Sequence, residues 1–171
     1  MTSDTYPTVT LRRARTKDVR RIREIIEPYV ENRILLAKEN VAYYEGLQEF
    51  RLAEVDGEVA GVGALHVMWE DLAEVRTLAV DQRYRGHRVG HALLDQLVSD
   101  ARDIGVQRVF CLTFEVAFFE KHGFTEIEGT PVTPDVYLEL LHSHDDGVAE
   151  FLDLARVKPN TLGNSRMLLT L

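Results

Sequence analysis

The chain has 171 residues, of which 45% are hydrophobic, and its 20 basic and 28 acidic side chains give a net charge of −8. This length and apolar content are typical of one globular domain, so we predict a single domain over residues 1–171. The acidic balance argues against a nucleic-acid partner and against binding to anionic membrane surfaces.

The termini and the cysteine content indicate a simple soluble protein. Residues 1–10 are polar and lack the apolar segment of a secretory signal, and no apolar run has the length of a membrane span. The only cysteine, Cys111, excludes an intramolecular disulfide, and no Cys/His set has the spacing of a zinc site. We therefore predict a cytoplasmic protein without a metal. A homodimer is a candidate oligomeric state.

The first half of the chain alternates between strand and helix patterns. A first strand is predicted at 8–14. Val19, Ile22, Ile26 and Tyr29 recur at helical spacing, in a helix that Thr16 caps and Pro28 ends or kinks. A second helix is predicted at 41–49. Asp56-Gly57 is a strong hairpin signal between strands at 50–55 and 58–69, and a further strand follows at 73–80.

The second half begins with a clear amphipathic helix over 89–104, which Gly105 ends. Its inward face is predicted to hold Leu93, Leu94, Leu97, Val98, Ala101 and Ile104. The apolar run at 106–113 is typical of a buried central strand. Short helices are predicted near 117–122, 133–141 and 148–154, and a last strand at 165–171. The fold class is therefore α/β or α+β around one mixed sheet.

The loop between the strand at 73–80 and the long helix carries the clearest chemical signal. It holds Gly86 and Gly90 together with three arginines, Arg83, Arg85 and Arg88, in an otherwise acidic protein. A helix N-terminus has free backbone N–H groups that bind anions, and glycines let a phosphate approach the backbone closely. The loop therefore indicates a pyrophosphate or another polyanion. The alternative is a solvated basic turn.

Two segments resemble motifs of the GNAT acetyltransferase family. Residues 78–94 are similar to its pyrophosphate motif, Q/R-x-x-G-x-G/A before a helix, with Arg85 first, Gly90 last and Arg88 where the middle glycine is usual. Residues 117–124, Ala-Phe-Phe-Glu-Lys-His-Gly-Phe, resemble the motif that packs beside the pantetheine arm. The resemblance implies a mixed, mostly antiparallel sheet that is flanked by helices and splayed at an acetyl-CoA site. The residues it assigns to acetyl-CoA are Leu78, Ala79, Val80, Arg85, Gly86, His87, Arg88, Val89, Gly90, His91 and Phe119.

Most of the chain also resembles one group in that family, the short stand-alone amino-acid N-acetyltransferases that act as N-acetylglutamate synthases. The segments concerned are 33–36, 44–50, 63–66, 74–77, 112–115, 122–133 and 158–169. The resemblance implies acetyl transfer to the α-amine of L-glutamate or L-glutamine, as the first step of arginine biosynthesis. The alternatives are another amine substrate and a non-catalytic protein that binds acyl-CoA.

Glu74 and Arg76 suit the chemistry of an amino-acid substrate. They are two residues apart on one strand, so we expect their side chains on one face, roughly 6–7 Å apart. An ammonium must lose a proton before it attacks a thioester, and a carboxylate is bound well by an arginine fork. Many GNAT enzymes place the general base at the position of Glu74. The alternative is an ion pair on a solvated face.

The resemblance implies further substrate contacts in three segments. Arg166, with Asn164 and Ser165, resembles the strand that binds the substrate carboxylate, whereas the alternative is a surface arginine. Thr113 ends the buried strand where the sheet opens, and Leu36 belongs to the similar segment 33–36. Phe119 stands where many members have a tyrosine that protonates the leaving thiolate, so no general acid is assigned.

Overall fold

The computed structural model describes residues 7–161 and 163–171, so Leu162 and the first six residues of the polar N-terminal segment lie outside the described residues. The described strands are β1 (Val9–Arg13), β2 (Phe50–Val55), β3 (Glu58–Trp69), β4 (Leu72–Val80), β5 (Arg108–Thr113), β6 (Thr125–Ile127) and β7 (Ser165–Thr170). The described helices are α1 (Val19–Glu31), α2 (Asn40–Glu45), α3 (Val89–Ile104), α4 (Val116–Glu120), α5 (Pro134–Leu140), α6 (Asp146–Phe151) and α7 (Lys158–Thr161).

The strands form one mixed sheet in the order β1-β2-β3-β4-β5-β7-β6. Strands β1, β2 and β3 pair antiparallel, as do β5, β7 and β6, whereas β4 and β5 are parallel. The predicted fold class, a mostly antiparallel mixed sheet flanked by helices, is confirmed. No described helix is long and apolar enough to cross a membrane.

The hairpin between β2 and β3 forms as the Asp56-Gly57 pair predicts. Both turn residues have positive φ, 52° for Asp56 and 78° for Gly57. That backbone matches the right-handed twist of the two strands and is accessible to Asp-Gly. The hairpin therefore sets the pairing of β2 with β3 next to the turn, where Val55 lies opposite Glu58.

The start and the end of α1 differ from the prediction. Thr16 does not cap the helix: the carboxylate of Asp18 accepts the backbone N–H of Arg15 at 2.7 Å and also binds Arg12. Pro28 does not end the helix, which continues for three more residues to Glu31. A proline this near the C-terminus removes one helical hydrogen bond, and the last turn keeps others, such as the bond from Asn32 N–H to the Pro28 carbonyl.

Other boundaries shift because short elements give little periodicity. Gly46 divides the predicted helix at 41–49 into α2 and a single 3-10 turn. Strand β5 begins at Arg108, because the backbone N–H groups of Gln107 and Arg108 both donate to the Asp71 carbonyl. Ile104, predicted to face inward, is 59% exposed at the last position of α3. Strand β6 and helix α7 were not predicted, being three and four residues long.

Backbone contacts divide the chain into two compact units. The first comprises the residues up to Leu65 together with Val75–Asp100, and α1 packs there on β2 and β3 through Ile22, Ile26 and Leu52. The second comprises His66–Glu74 and the residues from Ala101 onward. Its core is centred on Phe110 and Phe151, whose rings meet edge to face at 4.8 Å. The single domain over residues 1–171 stays a prediction.

Candidate active site

The loop from β4 to α3 is built around the carboxylate of Asp81. Its Oδ1 accepts the backbone N–H of Arg83 at 3.0 Å, and its Oδ2 lies 2.5 Å from the Arg21 guanidinium and 3.0 Å from that of Arg83. Hydrogen bonds from these two arginines, with the larger effect from Arg83, hold the pKa of Asp81 below its usual range. Asp81 therefore anchors the start of the loop to α1 and neutralises much of the charge of Arg83.

The rest of the loop leaves several backbone donors unused. The N–H groups of Arg85 and His87 close turns on the Gln82 and Tyr84 carbonyls, both at 3.3 Å. In the described part of the chain, no backbone acceptor is bonded to the N–H groups of Gly86, Arg88, Val89 and Gly90. A Cβ placed on Gly86, whose φ is +82°, would meet nothing within 4 Å. The loop therefore keeps four backbone donors at the start of α3, the position where a helix N-terminus binds an anion.

Helix α3 can begin at this point because two glycines of β3 let it approach the sheet closely. A Cβ on Gly61 would lie 2.7 Å from Cγ1 of Val89 and 2.9 Å from Cδ1 of Leu93. A Cβ on Gly63 would lie 2.9 Å from Cδ1 of Leu97. A contact under 3.0 Å forces a neighbouring atom to shift, so the glycines at 61 and 63 allow this close approach of the helix.

Strand β4 leaves its regular course in the middle. Its parallel pairing with β5 covers Leu72, Ala73 and Glu74 only, with Glu74 opposite Phe110. Thr77 has a φ of +56°, which is rare for a β-branched residue and marks strain at functional sites. Further along, the Tyr29 hydroxyl donates to the Val80 carbonyl at 2.8 Å and accepts the Val80 N–H at 3.2 Å. A side chain of α1 thus takes the place of a neighbouring strand.

Glu74 and Arg76 both precede that irregularity. Glu74 is 5% exposed, which is unusual for a carboxylate, and Arg76 is half-buried. Their spacing on the regular part of the strand is the one that puts two side chains on the same face. Burial, and then the charge of Glu74 in the same unit, raise the pKa of the Cys111 thiol. Cys111 is a buried thiol, in line with its apolar strand.

Arg166 lies in β7 and its guanidinium binds backbone carbonyls. Nε donates to the Gly129 carbonyl at 2.9 Å, Nη1 to that of Glu150 at 3.4 Å, and Nη2 to that of Phe151. The guanidinium carbon also lies 5.1 Å from the centroid of the Phe110 ring. Burial lowers the pKa of Arg166, while the charges of Asp153 and Glu74 oppose that shift. Arg166 therefore joins β7 to the end of α6, and three of its five N–H groups are in use.

The remaining predicted substrate residues are distributed over both units. Thr113 lies opposite Ser165 across the β5–β7 pairing, and its hydroxyl oxygen accepts the Glu115 N–H at 2.8 Å. Asn164 and Ser165 are half-buried beside Arg166. Leu36 is half-buried in the connection between α1 and α2, within the first unit.

The second unit also holds Phe119, which is 5% exposed. Its ring centroid lies 5.2 Å from those of Phe118 and Phe124, so the residue is a well-packed aromatic anchor. The loop residues, with Leu78, Ala79, Val80 and His91, belong to the first unit. The described residues contain no group of three His, Cys, Asp or Glu side chains arranged to hold a metal ion.

Three structurally important residues escaped the sequence analysis as site residues. Tyr29 reads as part of an apolar helix face, and nothing in the sequence shows that its hydroxyl binds the backbone of β4. Thr77 lies inside a run that has the pattern of a regular strand, and this hides its positive φ. Gly61 could have been found, because a glycine inside a strand signals close approach of another element.

Comparison with known proteins gives consistent matches. The sequence model described as the acetyltransferase (GNAT) family matches residues 16–124. An amino-acid acetyltransferase of Mycobacterium tuberculosis is 58% identical over 164 residues, 94% of each chain. The amino-acid acetyltransferase of Shewanella oneidensis is 36% identical over 126 residues, which are 72% of this chain and 28% of that protein.

Solved structures show the same fold. A crystal structure of a Mycobacterium tuberculosis protein in complex with CoA and the ligand NLQ has a TM-score of 0.92 and 57% identity, covering 95% of this chain and 99% of that one. An N-acetylglutamate synthase of Neisseria gonorrhoeae, complexed with coenzyme A and N-acetyl-glutamate, has a TM-score of 0.76 and 23% identity. It covers 96% of this chain and 35% of its own, and at that identity the likeness concerns the fold.

Proposed function

The chain belongs to the GNAT acetyltransferase family, and we propose that it transfers the acetyl group of acetyl-CoA to the α-amine of L-glutamate or L-glutamine. The similarity to an amino-acid acetyltransferase over 94% of both chains supports an amino acid as acceptor. The observation that carries the proposal is the loop with four unused backbone N–H groups at the start of α3. With glutamate, the reaction would be the first step of arginine biosynthesis.

The loop fits the pyrophosphate of acetyl-CoA. The N–H groups of Gly86, Arg88, Val89 and Gly90 are the donors for it, and the helix dipole of α3 adds to their attraction for anions. Acetyl-CoA supplies an activated acetyl thioester at the far end of its pantetheine arm. Phe119 and its two aromatic neighbours would provide the apolar packing for that arm.

Glu74 is proposed as the general base. It takes a proton from the substrate ammonium, directly or through water, and the free amine attacks the thioester carbonyl. The new N–C bond forms as the C–S bond breaks, the attacking nitrogen gives its second proton to water, and the thiolate leaves as CoA. Since Phe119 cannot donate a proton and the pKa of a thiol is about 8.5, water supplies the proton to the departing sulfur. The products are the N-acetyl amino acid and CoA, with no covalent enzyme intermediate.

Arg76 is proposed as the fork that binds a substrate carboxylate. A half-buried guanidinium on the strand of Glu74 would hold the carboxylate while Glu74 faces the amine. Arg166 is the second candidate, through the N–H groups that its three carbonyl contacts leave over. Further candidates for contacts with the acceptor are Thr113, Asn164 and Ser165 in the second unit and Leu36 in the first.

A thiol-release assay tests this function. Purified protein is mixed with acetyl-CoA and one amine at a time, including glutamate, glutamine, other amino acids, polyamines and an N-terminal peptide. We expect glutamate or glutamine to give the highest kcat/KM, with the acetylated product identified by mass spectrometry. A higher kcat/KM for an amine without a carboxylate would overturn the assignment of the acceptor. Binding of CoA without turnover of any amine would indicate a non-catalytic acyl-CoA-binding protein.

A further inference from the structure

Arg88 occupies a backbone conformation that normally favours glycine. Its φ is +62°, and it directly precedes α3, where its carbonyl accepts the Ala92 N–H at 3.1 Å. A non-glycine residue in the left-handed region costs on the order of 1 kcal/mol relative to glycine. Glycine would present the same backbone N–H without that cost. Any gain from an arginine at this position therefore has to come from its side chain and not from the backbone of the loop.

The ion pairs around the loop show which of its arginines are already paired with a carboxylate and which could bind an anionic ligand. Arg83 binds Asp81, and Arg21 binds both Asp81 and Glu24, so this group of two cations and two anions is balanced. Arg85 and Arg88 are exposed, and neither takes part in an ion pair among the described residues. They are therefore two unbalanced guanidinium groups on a protein whose net charge is −8.

Acetyl-CoA carries more negative charge than the backbone donors can meet. Its pyrophosphate suits the four N–H groups of the loop, but its adenosine also carries a 3′-phosphate with close to two negative charges at neutral pH. A phosphomonoester on a flexible nucleoside is bound well by an arginine fork. Arg88 offers both groups from one residue: the N–H for the pyrophosphate and the guanidinium for the second phosphate.

We propose that the Arg88 guanidinium binds the 3′-phosphate of CoA and makes the enzyme select acetyl-CoA over acetyl-3′-dephospho-CoA. This inference rests on the proposed position of acetyl-CoA at the loop. It requires neither glutamate as the acceptor nor Glu74 as the base.

The test measures two cofactors, with and without the 3′-phosphate, on two proteins that differ only at position 88. Wild type and Arg88→Gly are assayed with acetyl-CoA and with acetyl-3′-dephospho-CoA, and the affinities for CoA and 3′-dephospho-CoA are measured by calorimetry. Since a charge-assisted contact is lost, we expect wild type to prefer the phosphorylated form by roughly tenfold or more. In Arg88→Gly the preference should fall to about twofold or less, with the dephospho form bound as in wild type. Arg88→Lys should keep part of the preference.

Two controls make the result decisive. Arg83→Gln removes a nearby cation that Asp81 already balances, so the preference should stay unchanged. The thermal unfolding midpoint of ligand-free Arg88→Gly should match or exceed that of wild type, because the strain is relieved. Equal weakening of both cofactors by Arg88→Gly, or a wild type without any preference, would overturn the proposal. A wild type that binds neither CoA form would instead refute the proposed cofactor site.

Discussion

At the scale of single residues, Glu74 is the side chain on which the proposed chemistry depends most. It is 5% exposed beside the point where β4 and β5 cease to pair, so a proton it accepts is shielded from bulk water. We expect Glu74→Gln to lower kcat by roughly 10²–10⁴-fold with little change in acetyl-CoA affinity. Part of the rate should return at high pH, where more of the amine is already deprotonated. The pH profile of kcat measures this.

An exposed glutamate in the same part of the chain provides the control. Glu70→Gln changes a solvent-facing carboxylate in the turn between β3 and β4 and should leave kcat unchanged. Normal turnover by Glu74→Gln at neutral pH would remove Glu74 from the mechanism.

Arg76 and Arg166, the two candidates for binding the substrate carboxylate, are expected to differ in the effect of substitution by lysine. Lysine lacks the planar fork, so Arg76→Lys and Arg166→Lys should each raise the KM for glutamate and leave that for acetyl-CoA nearly unchanged. Losing a fork contact to a carboxylate costs roughly 2–5 kcal/mol. Arg166→Lys should also lower the unfolding midpoint by several degrees, because two of its three carbonyl contacts are lost.

Steady-state kinetics and thermal unfolding separate these roles. Arg102→Lys, on the exposed side of α3, is the matched control and should change neither quantity. An Arg166→Lys enzyme with lower stability and the parental KM would make that arginine a purely structural tether.

The sequence predicts roles for Glu74, Arg76 and the loop because charged residues and glycines are conspicuous in an apolar strand pattern, and these roles stay predictions. It could not show that Arg166 would be held by three carbonyls, since the partners lie 15 to 37 residues away and are backbone atoms. The role of the Tyr29 hydroxyl at Val80 was hidden for the same reason.

At the scale of elements, the position of α3 depends on the absence of a side chain at Gly61 in β3. A methyl group on Gly61 would meet Val89 and Leu93 at 2.7 and 2.9 Å, so either these side chains or the first turn of the helix would have to shift. Overpacking of this kind costs typically about 1–3 kcal/mol. We expect Gly61→Ala to lower stability by that amount and to weaken acetyl-CoA binding, because the loop donors move with the helix.

Denaturant unfolding and calorimetry check this prediction. Val67→Ala, at a 47% exposed position of the same strand, is the control and should affect neither. Unchanged stability and CoA affinity in Gly61→Ala would show that α3 can shift without cost.

Elements with a clear period or turn signal were predicted almost to the residue, as the hairpin and α3 show. The misplaced boundaries belong to short elements decided by specific hydrogen bonds. Asp18 displaced Thr16 at the start of α1, and the Asp71 carbonyl delayed the start of β5. Such bonds join residues whose proximity depends on the tertiary fold.

At the scale of the whole molecule, acetyl-CoA should stabilise the folded chain. A ligand present at about 100 times its Kd adds about 2.7 kcal/mol to the free energy of unfolding. For a chain of this length that raises the thermal midpoint by about 5–10 °C. A thermal-shift titration measures it, and Gly90→Val, which places a branched side chain among the loop donors, should abolish most of the shift. An equal shift in both proteins would place the cofactor elsewhere.

The buried thiol of Cys111 has a practical consequence for these measurements. It is the single cysteine in the chain and is 1% exposed, and burial raises its pKa, so the native protein should be silent towards thiol reagents. In a thiol-release assay with a colour-forming thiol reagent, the signal then comes from released CoA alone. Unfolding, by contrast, liberates one reactive sulfur per molecule. The rate at which a reagent labels the chain under native conditions therefore reports how often the centre of the sheet opens, without any engineered probe.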